Sequence, residues 1–101
     1  MEYFKMNELQ IKINSITQIL SSDSSKLNKV VMSLQGFSGL DITNFSSKKK
    51  KSLYKYMAII NSITSHYPTI KTYDDYKIIS DADLDELLKN VQQLCLKLLI
   101  D

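Results

Sequence analysis

Residues 80–100 read SDADLDELLKNVQQLCLKLLI, and within them Leu84, Leu87, Leu88, Val91, Leu94, Cys95, Leu98 and Leu99 recur at the spacing that lines one face of an α-helix. Ser80 stands where an N-cap is wanted, and Asp81, Asp83, Asp85 and Glu86 fill the first turns, where carboxylates favour the positive end of the helix dipole. The stretch predicts a capped amphipathic helix that must bury its apolar face against other elements.

Upstream, Met6, Leu9, Ile13, Ile16, Leu20, Leu27, Val30 and Leu34 form a second such stripe, widened by Ile11, Ile19 and Val31. The run Ser21-Ser22-Asp23-Ser24-Ser25 interrupts it, and these residues are poor in helix interiors but good N-caps. Because the register carries across the run, one continuous or kinked helix over about residues 3–35 is expected. The other reading ends a helix near Leu20 and starts a second at Ser22 or Asp23. Gln35-Gly36-Phe37-Ser38-Gly39 holds both glycines of the chain and predicts a helix C-cap and reversal. Ser46 or Ser47 then caps a helix carrying Leu53, Tyr56, Ile60, Ile63 and Tyr67 and ending before Pro68, with Ile42 and Phe45 on the same stripe if it starts earlier. Thr69 to Ile79 predicts an irregular or short helical connection.

The expected fold is therefore all-α, an antiparallel bundle of three or four helices built on a long helical hairpin. A chain of 101 residues with 44% apolar content, two Gly and one Pro fits a single domain over residues 1–101. Ile13, Ile16, Leu34, Ile60, Ile63, Leu87, Val91 and Leu94 are its expected core. One Cys rules out an internal disulfide, Met1 to Gln10 lacks the apolar run of a signal peptide, and no stretch is apolar enough to cross a bilayer. A cytoplasmic location is expected, with export by a leaderless route as the alternative.

No catalytic residue, metal or cofactor is expected. The single His66 sits beside a predicted helix end, where it can meet terminal carbonyls, and no Ser has the surroundings of a nucleophile elbow. Asp81, Asp83 and Asp85 imitate the opening of a calcium loop, yet Glu86 stands where Gly is needed and Gln92 where a bidentate Glu is needed. Cys95 falls among leucines and reads as a core thiol.

Two features suggest binding. The chain has 13 lysines, no arginine and 11 acids, so its net charge of +2 implies no particular partner, and the absence of Arg removes bidentate clamping of phosphate or guanine. The lysines are concentrated in Lys48, Lys49, Lys50 and Lys51, a basic patch able to meet nucleic acid or anionic lipid, or simply a solvated face. In addition, Leu96 and Ile100 fall outside the apolar face of the last helix; with Leu40, Tyr73 and Tyr76 they are the expected docking patch for another protein or a second copy of the chain.

A long first helix, a turn carrying Leu34-Gln35-Gly36 and a second amphipathic helix resemble the WXG and LXG helical hairpins of type VII secretion over about residues 6–67. Leu replaces the family's Trp, and the downstream YxxxD/E signal is missing, since Tyr73 is followed by Lys77 and Tyr76 by Ser80 at the acidic position. Phe37 and Asp41 have the spacing of a related FxxxD element but fall in the turn. The resemblance implies a non-catalytic protein that works through helix-mediated protein contacts. The alternative is a cytosolic immunity or inhibitor protein, either a four-helix bundle that protects a bacteriocin producer or a phage or viral antagonist.

Overall fold

A computed structural model describes residues 8–43, 45–67 and 73–100, with the side chains of Glu8, Tyr73 and Ile100 outside what is described. Among these residues the chain forms four α-helices, α1 (Glu8–Ser21), α2 (Lys26–Ser38), α3 (Ser47–Thr64) and α4 (Asp81–Ile100), with a 3-10 helix over Tyr73–Ile78 before α4. The all-helical bundle expected from the apolar stripes is what the chain adopts. Met6 and residues 69–72 of the connection lie outside the described residues.

The expected continuous first helix is two helices, and the serine run explains why. Ser22 turns its hydroxyl back to the carbonyl of Ile19 (2.7 Å), and the Ser24 N–H donates to Ser22 Oγ (3.3 Å). Ser25, extended at φ −63° and ψ 158°, then accepts from the Asn28 N–H as the N-cap of α2. The serines thus satisfy the terminal groups of one helix and the initial groups of the next, which an uninterrupted helix would not need. Ser46, in the same extended conformation, caps α3 by accepting from the Lys49 N–H. Ser80 caps α4 by accepting from the Asp83 N–H at 3.2 Å.

α1 and α2 fold back on each other, so the hairpin forms at residues 22–25. Gly36 lies against Ile16, and Lys12 Nζ donates to the Gly39 carbonyl at 2.8 Å. α2 continues through the expected turn as far as Ser38 and stops at Gly39, which has φ −93°. Gly36 is therefore a helical residue whose missing side chain lets α1 approach, and not the pivot of a reversal. Ile42 and Phe45 precede α3 as a turn closed by the Phe45 N–H on the Ile42 carbonyl (3.1 Å), with Phe45 buried.

α4 is the central element and packs against α1, α2 and α3. The side chains that hold it are those of the stripe: Leu84, Leu87, Val91, Leu94, Cys95 and Leu98 are buried, together with Ile13, Ile16, Val30, Leu53 and Ile60 from the other helices. Leu34 and Ile63, expected in the core, are only partly buried at its margin, and Leu99 is exposed. Ile11 is exposed, so it does not widen the buried face of α1.

Candidate interaction surface

The side chains with the most reactive chemistry are committed to structure. His66 Nδ1 lies 3.3 Å from the Ile63 carbonyl at the end of α3. Cys95 is 3% exposed, and burial pushes its thiol up to about 11, with a hydrogen bond from Thr17 opposing the rise. Such a thiol is neutral and shielded. The three aspartates at the start of α4 do not meet at one point, because two of them share a lysine and the third faces a tyrosine. Asp81 and Asp85 both reach Lys26 at the start of α2, at 3.0 and 2.8 Å, whereas Asp83 accepts from the Tyr67 hydroxyl. Lys26 is held above its ordinary pKa by its hydrogen bonds to Asp85 and Asp81. Among the described residues no group of His, Cys, Asp and Glu is arranged to hold a metal ion.

Tyr67 links two helix ends, because its hydroxyl also accepts from the Ser80 N–H at 3.1 Å. This places the end of α3 beside the start of α4. Since α3 and α4 pack on each other and these two ends are joined, the helices run antiparallel and the start of α3 lies toward the end of α4.

Of the five residues of the expected docking patch, the side chains of Leu96, Tyr76 and Leu40 are described. Leu96 is 52% exposed on the outer side of α4, as its place off the apolar stripe requires. Ile100 lies outside the described side chains, as does that of Tyr73. Tyr76 is half-buried against the core in the 3-10 helix that leads into α4, and burial raises its pKa. Leu96 lies about 22 Å along α4 from Asp81 at 1.5 Å per residue, so Leu96 and Tyr76 belong to opposite ends of that helix. Leu40 is partly buried beside Leu9, Lys12 and Asp41. Its neighbour Asp41 is held below the usual carboxylate range by the hydroxyl and N–H of Thr43.

Two further surfaces stand out among the described residues. The first is the outer face of the α1–α2 hairpin, where an open hollow of about 480 Å³ is lined by Ser15, Gln18, Ile19, Asn28 and Met32. Met32 is 43% exposed there, and Ile11, 61% exposed, stands on the same stripe of α1 as Ser15 and Ile19. Apolar spacing does not mark this surface, because Ile11 and Ile19 extend the stripe of α1 in sequence while Ile11 is exposed in the fold. The second is the end of the α3–α4 pair, where Lys48, Lys49, Lys50 and Lys51 occupy the first turns of α3. No acidic residue offsets them in the first turn of that helix.

No protein-family model, curated protein or solved structure matches the chain. Among the described residues no helix is long and apolar enough to cross a membrane.

Proposed function

We propose that this protein acts by binding, without catalysis, and that the outer face of the α1–α2 hairpin receives a helix of another protein or of a second copy of the chain. The observation that carries the reading is the open, mixed apolar and polar hollow between two antiparallel helices, lined by Ile19 and Met32, with the exposed Ile11 two turns before Ile19 on α1. A groove between paired helices accepts the apolar stripe of a third, and serine, glutamine and asparagine at its margins supply hydrogen bonds without burying charge. The resemblance of Leu34-Gln35-Gly36 and its flanking helices to type VII hairpins suggests a secretion-associated partner. An immunity or inhibitor role is the other form of the same reading. A secretion ATPase or LXG toxin encoded nearby favours the first, and a bacteriocin precursor or phage cluster the second.

The test is affinity capture from the producing cells with the wild type and an Ile19→Glu, Met32→Glu double variant, with helicity checked by circular dichroism and oligomeric state by light scattering. A partner or self-association lost in the folded double variant supports the reading. Identical capture and identical mass in solution for the two proteins would overturn it.

A further inference from the structure

Charge is unevenly distributed along the α3–α4 pair. No acid occurs in the sequence between Asp41 and Asp74, so α3 carries Lys48, Lys49, Lys50, Lys51 and Lys55 with no carboxylate of its own. α4 has its own acids in the first turns, Asp81, Asp83, Asp85 and Glu86, while Lys97 lies in its last turn and Asp101 follows the helix in sequence, so the five lysines of α3 and Lys97 still outnumber the acid beside them. Because the two helices are antiparallel, the lysine run and Lys97 lie toward one end of the pair and the aspartates of α4 toward the other.

Exposed apolar side chains accompany the basic end. Tyr54 is 58% exposed one helical turn after Lys50 and Lys51, and Leu96 and Leu99 are exposed in the last turns of α4. We propose that this end of the bundle docks on an anionic lipid bilayer, with the lysines meeting headgroups and Leu96, Leu99 and Tyr54 entering the interface. The residue types favour that occupant over others. Lysine is depleted in protein–protein interfaces, where arginine is enriched, and base-specific contacts are chiefly arginine's, whereas clusters of four to eight basic residues suit an anionic membrane surface. Aliphatics have no role along a phosphate backbone, but supply the second signal that stable attachment to a bilayer needs. This surface is separate from the α1–α2 hollow, so either proposal can fail alone.

The experiment is co-sedimentation of the full chain with vesicles of phosphatidylcholine, and of equimolar phosphatidylcholine and phosphatidylglycerol, across a salt series. The wild type should bind the anionic vesicles and not the zwitterionic ones, and lose binding as salt rises. Lys48→Gln, Lys49→Gln, Lys50→Gln and Lys51→Gln combined should weaken binding by more than about ten-fold, since each lysine near an anionic surface contributes several-fold. Leu96→Asn should weaken it and leave the salt dependence in place, and Ile78→Asn, an exposed aliphatic before the start of α4, should not alter it. Equal binding to both vesicle types, no binding to either, or full retention by the folded lysine variant would overturn the proposal, as would salt-dependent binding of a single-stranded oligonucleotide in the absence of vesicle binding. If the lysine variant does not fold, the wild-type lipid and salt comparison decides alone.

Discussion

Gly36 and Ile16 are packed so closely that a Cβ at position 36 would stand 2.9 Å from Ile16 Cγ1 and 3.0 Å from Cδ1. Alanine is the better helix former by about 1 kcal/mol, but overpacking a helix contact costs about 1–3 kcal/mol. Gly36→Ala is therefore expected to lower stability despite its helical position, by about 1 kcal/mol net. The urea midpoint measures it, and the sign should depend on Ile16: in an Ile16→Ala background, where both offending atoms are gone, Gly36→Ala becomes neutral or stabilising. Gain of stability in the wild-type background would mean that α1 and α2 are not held this close.

Tyr67 joins the end of α3 to the cap of α4, accepting from Ser80 N–H and donating to the Asp83 carboxylate. Tyr67→Phe removes both bonds and leaves the Ser80 N–H without that partner, so a loss of about 1–2 kcal/mol is expected. Ser25→Ala and Ser46→Ala, at caps with no comparable tertiary link, should each cost about 1 kcal/mol. Chemical denaturation of the three variants gives the order directly. A Tyr67→Phe loss below that of both cap variants would remove the link from the account of how α3 and α4 meet.

Much of the fold is legible in the apolar spacing, because burial of Ile13, Ile16, Val30, Ile60, Leu87, Val91 and Leu94 follows from stripes that a helix alone can present. The break at residues 22–25 is not decided by spacing, since a stripe can keep its register across two helices that both face one core; the Ser22 hydroxyl donating to the Ile19 carbonyl and the Ser25 hydroxyl accepting from the Asn28 N–H decide it. Gly36 reads equally well as a turn or as a close approach, because both exploit the missing Cβ. Of the expected docking patch, Leu96 is legible as a residue off the stripe, whereas the place of Tyr76 depends on the connection before α4, a segment that no periodicity governs.

Stability should fall on the alkaline side in a way that reports Cys95. Its thiol is raised to about 11 by burial, against about 8.5 for a free thiol. A folded pKa above the unfolded one means that the contribution is complete below about pH 8.5 and is lost progressively as pH rises towards about 11, because the unfolded chain releases its proton first. Lys26, also raised, adds a loss that starts above the ordinary lysine value of about 10.4. Urea midpoints from neutral pH to about pH 10 should decline for the wild type and less steeply for Cys95→Ala, whatever the absolute stability of that variant. Equal slopes would show that the thiol titrates alike in the folded and unfolded chain.

The two sides of α4 should respond oppositely to substitution. Leu94 is fully buried, whereas Leu96, two residues on, projects into solvent. Leu94→Ala leaves a cavity at the meeting point of the helices and should cost about 2–5 kcal/mol, enough to remove a large part of the stability of a domain this size. Leu96→Glu places a charge where water already reaches and should change stability by no more than about 0.5 kcal/mol. Thermal melts of the two variants separate the outcomes. If Leu96→Glu unfolds the chain, α4 is buried on two sides, and neither the exposed leucine nor the lipid-facing end that depends on it survives; if it melts like the wild type, Leu96 makes no packing contribution and is free to meet the bilayer interface.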